Sequence, residues 1–190
     1  YYNYDDEAML SFFSYICKVG QGLSAYLYNI PPNTKNSISG SLLARLCNQC
    51  RNIVGIKDSS MDFMVLLDYL NRTSSDFVVM TGSDAQVLYA LQAGGSGAVV
   101  SCAGIFPEIA KGIHTDYKLG NFESARDKQY TLYSLSTLFR KLMPVVTHKR
   151  ALEYLGFPMG KPRLPFRTLT DMEERELISG LDRIIGKGGY

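Results

Sequence analysis

Four short apolar runs, at residues 25–30, 53–57, 77–81 and 98–102, recur at intervals of about 20 to 29 residues, and each interval reads as a helix. Neighbouring parallel strands need a crossover of a dozen or more residues, usually a helix, so this rhythm predicts βα units around a parallel sheet. The helical periodicity runs over 5–19, with Ala8, Met9, Phe12, Phe13 and Ile16 on the apolar face. It returns over 39–49 (Leu42, Leu43 and Leu46 inward), 61–71 (Met64, Leu67 and Leu70 inward) and 85–93. Pro31-Pro32 is expected to stop the first strand, and Gly94-Gly95-Ser96-Gly97 to turn into the fourth. Beyond Phe106 the pattern is helical only, over 107–119, 121–142, 147–155 and 171–185.

A chain of 190 residues is long enough for one sizeable domain with a real core, and its 46% hydrophobic and 20% charged content is ordinary for a globular protein. The net charge of +2 comes from dispersed basic residues, which predicts neither a nucleic-acid nor a membrane partner. No apolar run approaches the roughly 20 residues that span a bilayer. The chain opens on Tyr1-Tyr2-Asn3 without Met or a signal sequence, as a fragment would. Cys47-Asn48-Gln49-Cys50 has CxxC spacing but closes a helix, whereas redox pairs open one. With only His114 and His148 to add, no zinc site is expected, and Cys17, Cys47, Cys50 and Cys102 read as reduced, mostly buried thiols of a cytoplasmic protein.

Parallel α/β folds gather reactive groups at the carboxyl ends of their strands. Lys57 sits at such an end, in Ile53-Val54-Gly55-Ile56-Lys57-Asp58, a run apolar enough to be buried on both faces. An ammonium there is costly unless it snorkels into solvent or serves as a nucleophilic amine that forms a Schiff base with a carbonyl. Tyr28 lies 29 residues earlier, one βα unit away, at the matching place on the preceding strand. A phenol beside an amine suits proton relay around a carbinolamine, although a strand-end tyrosine that merely wets its hydroxyl reads the same way. Asp84 either binds substrate hydroxyls or caps the helix after it, with capping preferred, and Ser59 and Ser60 stand in the same position before the 61–71 helix. His114 is expected at the surface or in helix packing, and His148 in a solvated helix start.

Taken in order, Tyr28-Asn29-Ile30-Pro31, Gly55-Ile56-Lys57-Asp58-Ser59, Gly82-Ser83-Asp84 and Gly94-Gly95-Ser96-Gly97-Ala98 resemble the dihydrodipicolinate synthase/N-acetylneuraminate lyase family, and Tyr1-Tyr2-Asn3 resembles that family's tyrosine pair. The resemblance implies a (β/α)8 TIM barrel of which strands five to eight are present. Residues 1–106 would be the second half of the barrel, and residues 107–190 its last helix and a C-terminal helical extension. It also implies a class I aldolase in which Lys57 forms the imine with pyruvate or a 2-keto acid, Tyr28 shuttles protons, and Tyr2 serves a neighbouring subunit's relay. Val99 would line the pyruvate pocket with its backbone, and Asn33, Ser83 and Asp84 would meet substrate. No metal or organic cofactor is implied; the partners would be a small 2-keto acid and further copies of the chain in a homotetramer.

Dihydrodipicolinate synthases usually carry an Arg where this chain has Asn33, and an amide cannot supply the same charged fork to a carboxylate. That departure favours cleavage of a hydroxylated 2-keto acid, such as a 2-keto-3-deoxy sugar acid or 4-hydroxy-2-oxoglutarate, to pyruvate and an aldehyde. Dihydrodipicolinate synthesis from pyruvate and aspartate semialdehyde, N-acetylneuraminate cleavage, and a non-catalytic keto-acid binder are the alternatives. The family's Gly-Thr-Thr-Gly segment, which grips the pyruvate carboxylate, belongs to the absent half, so the whole enzyme is expected to be longer and this chain alone inactive.

Overall fold

The computed structural model describes residues 2–186, which fall into two compact units that divide between Val100 and Ser101. The first is an α/β layer: α1 (Asp6–Val19), β1 (Ala25–Asn29), α2 (Pro31–Thr34), α3 (Gly40–Gln49), β2 (Ile53–Asp58), α4 (Phe63–Arg72), β3 (Val78–Thr81), α5 (Val87–Gln92) and β4 (Gly97–Ala98). The four strands form one sheet in chain order, β1-β2-β3-β4, with every neighbouring pair parallel. Polar side chains set the helix starts. Asp5 accepts from the Ala8 N–H at 2.8 Å, Ser39 from Leu42 at 3.1 Å and Asp62 from Met64 at 2.9 Å, each satisfying a donor the helix leaves free. Asp62, and neither Ser59 nor Ser60, is thus the cap of α4.

Strand alternation sorts the sheet into two faces. Leu27, Asn29, Ile56, Asp58, Val79 and Thr81 are buried, and the apolar members pack with Met9, Leu10, Leu42, Leu43, Leu46, Leu66 and Tyr69 in a continuous core. The other face carries Tyr26, Tyr28 and Lys57, with Tyr26 52% and Tyr28 48% exposed. The sheet is therefore not buried on both faces, and Lys57 is half-buried.

Two helices are rotated from their expected faces. In α1 the buried residues are Met9, Leu10 and Cys17, while Phe12 and Ile16 are exposed. Glu7, Ser11, Ser14 and Lys18 form a narrow polar stripe, and the apolar arc opposite is wider than the face the core covers, so periodicity alone leaves the buried part of that arc open. In α4 the buried pair is Leu66 and Tyr69, and Met64 is exposed. Tyr69 enters the core because its hydroxyl finds a partner there, the Ile38 carbonyl. Pro31-Pro32 does end β1, but it also opens α2, where the missing N–H of a first-turn proline is harmless. The fourth strand stops at Ala98 rather than Cys102; one further bond, from the Val99 N–H to the Thr81 carbonyl at 2.9 Å, precedes a 3₁₀ turn over Cys102–Gly104.

The second unit is helical: α6 (Pro107–Lys118), α7 (Phe122–Lys141), α8 (Pro144–Tyr154) and α9 (Asp171–Ile185). Phe106 stacks on Phe139 with ring centroids 6.4 Å apart, and His148 packs against the same Phe139 at 4.8 Å, so His148 is a packing residue rather than part of a solvated helix start. The last helix opens with a reciprocal Thr170–Glu173 capping box. No helix among the described residues is long and apolar enough to cross a membrane.

Candidate active site

The parallel register of β1 and β2 sets Tyr28 opposite Lys57, one rung before the strand ends. Both side chains project from the half-open face, and the Lys57 Nζ lies 4.2 Å from the centroid of the Tyr28 ring, within the range of a cation–π contact. Just past the strand, the Ser59 hydroxyl donates to the Tyr28 phenol oxygen at 3.4 Å. That hydrogen bond first, and then the Lys57 ammonium, hold the Tyr28 phenol below its ordinary range against the opposing effect of burial. Space for the amine depends on Gly82: a Cβ there would come within 1.9 Å of the Ser59 Oγ and 2.9 Å of the Lys57 Cε.

Behind this pair, on the buried face, lies a polar network. Asn29 and Asp58, each 1% exposed, are the next rung of the same ladder. The Asn29 amide donates to Asp58 Oδ1 at 2.7 Å, the Ser60 hydroxyl donates to Asp58 Oδ2 at 2.7 Å, and the Ile38 N–H donates to Asn29 Oδ1 at 2.9 Å. Tyr69 completes it through the Ile38 carbonyl. Burial foremost, then the Asp58 and Asp68 carboxylates, push the Tyr69 phenol well above its ordinary range, so it serves as a fixed donor.

Of the residues singled out from sequence, the structure brings Tyr28 and Lys57 together. Ser83 and Asp84 are buried in the turn after β3, 3% and 1% exposed, with the Ser83 N–H bonded to the Thr81 hydroxyl at 3.1 Å. The cap position of α5 is Gln86, which makes no side-chain cap bond. Val99 stands half-exposed where the fourth strand ends. Asn33 is exposed on α2. Tyr2 is 74% exposed, and its segment is tied down through the backbone: the Asn36 amide donates to the Tyr2 carbonyl at 3.0 Å and accepts from the Tyr4 N–H at 2.7 Å.

Sequence reasoning missed Ser59 as a partner of Tyr28, Asn36 as a clamp, and the buried Asn29–Asp58 pair. The signal for the last was present, because the two residues follow Tyr28 and Lys57 at the same offset. The four cysteines are free thiols, and burial foremost pushes the Cys17 thiol up to about 11, away from nucleophilic chemistry. Among the described residues no group of three His, Cys, Asp or Glu side chains could hold a metal ion. An amine touching a polarised phenol at parallel strand ends is equipped for addition to a carbonyl with local proton transfer.

A 4-hydroxy-tetrahydrodipicolinate synthase of Archaeoglobus fulgidus is 32% identical over 83% of this chain and 55% of its own length. The solved structure of the 4-hydroxy-tetrahydrodipicolinate synthase of Methylacidiphilum fumariolicum superposes with a TM-score of 0.88 at 28% identity, covering 97% of this chain and 61% of that one. A 2-keto-3-deoxygluconate aldolase variant of Sulfolobus solfataricus superposes at 0.87 with 25% identity, over 98% of this chain and 62% of the other. The chain thus spans less than two thirds of the length of these relatives. With a family model matching residues 1–184, the protein belongs to the dihydrodipicolinate synthetase family.

Proposed function

We propose that this chain carries the imine-forming half of a pyruvate-dependent class I aldolase, with β1–β4 as the fifth to eighth strands of a (β/α)8 barrel. Residues 1–106 are then the second half of that barrel, and residues 107–190 its last helix and helical extension. The observation that carries this reading is the contact between Lys57 and Tyr28, 4.2 Å from amine to ring centroid, at the carboxyl ends of adjacent parallel strands.

In this mechanism the neutral Lys57 amine adds to the keto carbon, and the carbinolamine loses water to give an iminium ion. That cation accepts the electron pair when the C3–C4 bond breaks, leaving an enamine and releasing an aldehyde. The same steps in reverse join the enamine to an aldehyde. Tyr28, whose phenol Ser59 and Lys57 hold below its ordinary range, takes the proton of the substrate hydroxyl and returns it to C3 of the enamine, which restores the iminium ion. Water then hydrolyses the iminium to pyruvate and the free amine, so no organic cofactor or metal enters the sequence. Val99, Asn33, Ser83 and Asp84 are the residues we assign to substrate contact. Tyr2 is assigned to the relay of a neighbouring subunit in a cytoplasmic homotetramer.

Two observations bear on the second substrate. The amide of Asn33 offers no charged fork for a second carboxylate, which supports cleavage of a hydroxylated 2-keto acid. The synthase names carried by the curated relatives support condensation with aspartate semialdehyde. The first test is trapping: pyruvate, borohydride, and peptide mass spectrometry of the adduct. An adduct on Lys57 supports the imine mechanism, and pyruvate release from 2-keto-3-deoxygluconate against pyruvate consumption with aspartate semialdehyde then decides the substrate. Absence of an adduct on both this chain and a version extended to the length of its relatives overturns the aldolase and leaves a keto-acid binder.

A further inference from the structure

We propose that Asn29 and Asp58, anchored to Tyr69 through the Ile38 backbone, are positioning residues that hold Tyr28 and Lys57 face to face at the ends of β1 and β2. The inference rests on the imine-forming reading above, which gives that alignment its purpose, while its own support is the geometry of the buried face.

Burying a carboxylate is strongly unfavourable unless its partners are well placed, and Asp58 is 1% exposed one residue from the reactive amine. Its partners are local and specific. Asn29 meets one oxygen at 2.7 Å and Ser60 the other at 2.7 Å. Asn29 is bonded on both sides of its amide, since its oxygen accepts from Ile38 at 2.9 Å. The Ile38 backbone is in turn gripped on both sides of its Cα, its N–H by Asn29 and its carbonyl by Tyr69 from α4. Backbone bonds close the frame, with Ser59 N–H to the Asn29 carbonyl at 2.8 Å and Gly82 N–H to the Asp58 carbonyl at 2.6 Å.

The consequence follows from alternation. Residues 28 and 57 point to one face, and residues 29 and 58, one rung on, point to the other. A side-chain bond across the final rung fixes the separation and twist of two strand ends that would otherwise fray. Ser59, the donor to Tyr28, leaves the sheet directly after that rung. Loosening the rung on the buried side therefore moves the amine, the phenol and the hydroxyl together on the open side.

The test reads Tyr28 directly and needs no substrate. Lys57 and Ser59 are the groups whose contacts lower its titration, so its titration midpoint, followed by NMR of ring-labelled tyrosine and assigned with Tyr28→Phe, reports their alignment. Asn29→Ala is expected to move the midpoint up towards the ordinary phenol value and to slow imine trapping about tenfold or more, the scale of a small misplacement of reacting groups. Tyr69→Phe, which removes one hydroxyl and leaves no cavity, is expected to shift it in the same direction. The exchanged pair Asn29→Asp with Asp58→Asn keeps one carboxylate facing one amide and is expected to restore both readings. A Tyr28 midpoint unchanged in folded Asn29→Ala or in Tyr69→Phe, or not restored in the folded exchange, overturns the proposal. If wild-type Lys57 forms no adduct on this chain or on the version extended to the length of its relatives while these shifts occur, the positioning network stands and the aldolase reading fails.

Discussion

The Lys57 ammonium stands over the ring of Tyr28, 4.2 Å from its centroid, while Ser59 holds the phenol oxygen from the strand end. The ring quadrupole attracts the cation, and the cation in turn favours the phenolate. One contact thus orients the nucleophile and tunes its proton partner, and the two roles can be separated by substitution.

Lys57→Arg keeps a cation over the ring but has no amine that condenses with a ketone. Its expected behaviour is complete loss of the pyruvate adduct with the Tyr28 titration still depressed. Lys57→Met, which keeps the length of the stem and drops the charge, is expected to lose the adduct and raise the Tyr28 midpoint as well. Mass spectrometry of borohydride-treated protein and a tyrosinate absorbance titration read both effects. Equal Tyr28 midpoints in the two variants would show that the charge over the ring does not tune the phenol.

Ser59→Ala tests the larger influence on Tyr28. The hydroxyl stabilises the anionic phenolate, so its removal disfavours deprotonation and the midpoint rises. Where Tyr28 acts as the base, the acid limb of the pH–rate profile must move to higher pH by the same amount. A profile that stays in place while the titration moves would remove Tyr28 from the proton transfer.

Gly82 is the residue most sensitive to the smallest enlargement. A Cβ would lie 1.9 Å from the Ser59 Oγ, 2.9 Å from the Lys57 Cε and 3.0 Å from the Asp58 carbonyl oxygen. The two closest atoms belong to side chains that can move, so Gly82→Ala is expected to fold with a modest loss of stability. Trapping on Lys57 is expected to slow about 10- to 100-fold, the scale associated with misplacement by about an ångström. Calorimetry beside the trapping rate separates the two effects, and an unaltered rate would show that the amine does not need this space.

The alternation of strands and helices was legible because each apolar run is short and the helices α1, α3 and α4 are long enough to show their period, whereas the four-residue α2 is too short to do so. Lys57 and Tyr28 were legible because a charge and a phenol stand out at matching strand ends. The phase of α1 was not, since its apolar arc is broad and only its packing decides which part of that arc is covered. Nor was the inward face of α4, because Tyr69 is buried by a hydrogen bond to Ile38, a residue 31 positions away. Ser59, Ser60 and Asp62 are all competent caps by composition. Three-dimensional neighbours allocate them to Tyr28, Asp58 and the helix start respectively. Long-range polar partners of this kind leave no periodic trace.

Tyr69 gives the fold a dependence on alkaline pH whose sign follows from its surroundings. Burial, together with the Asp58 and Asp68 carboxylates, raises its pKa in the folded chain above the value of about 10 expected when unfolded. The unfolded state therefore releases this proton first. The stabilisation is fully present below about pH 10 and is lost as pH rises beyond it. Urea midpoints measured from pH 7 to pH 11 are expected to fall steeply at the alkaline end. Tyr69→Phe has no proton to release and should show a shallower fall over the same range. At neutral pH it should be the less stable protein, by about 1–3 kcal/mol, because the buried Ile38 carbonyl loses its partner. Parallel pH profiles for the two proteins would mean that Tyr69 does not remain protonated as the folded state requires, and that the alkaline transition belongs to another group.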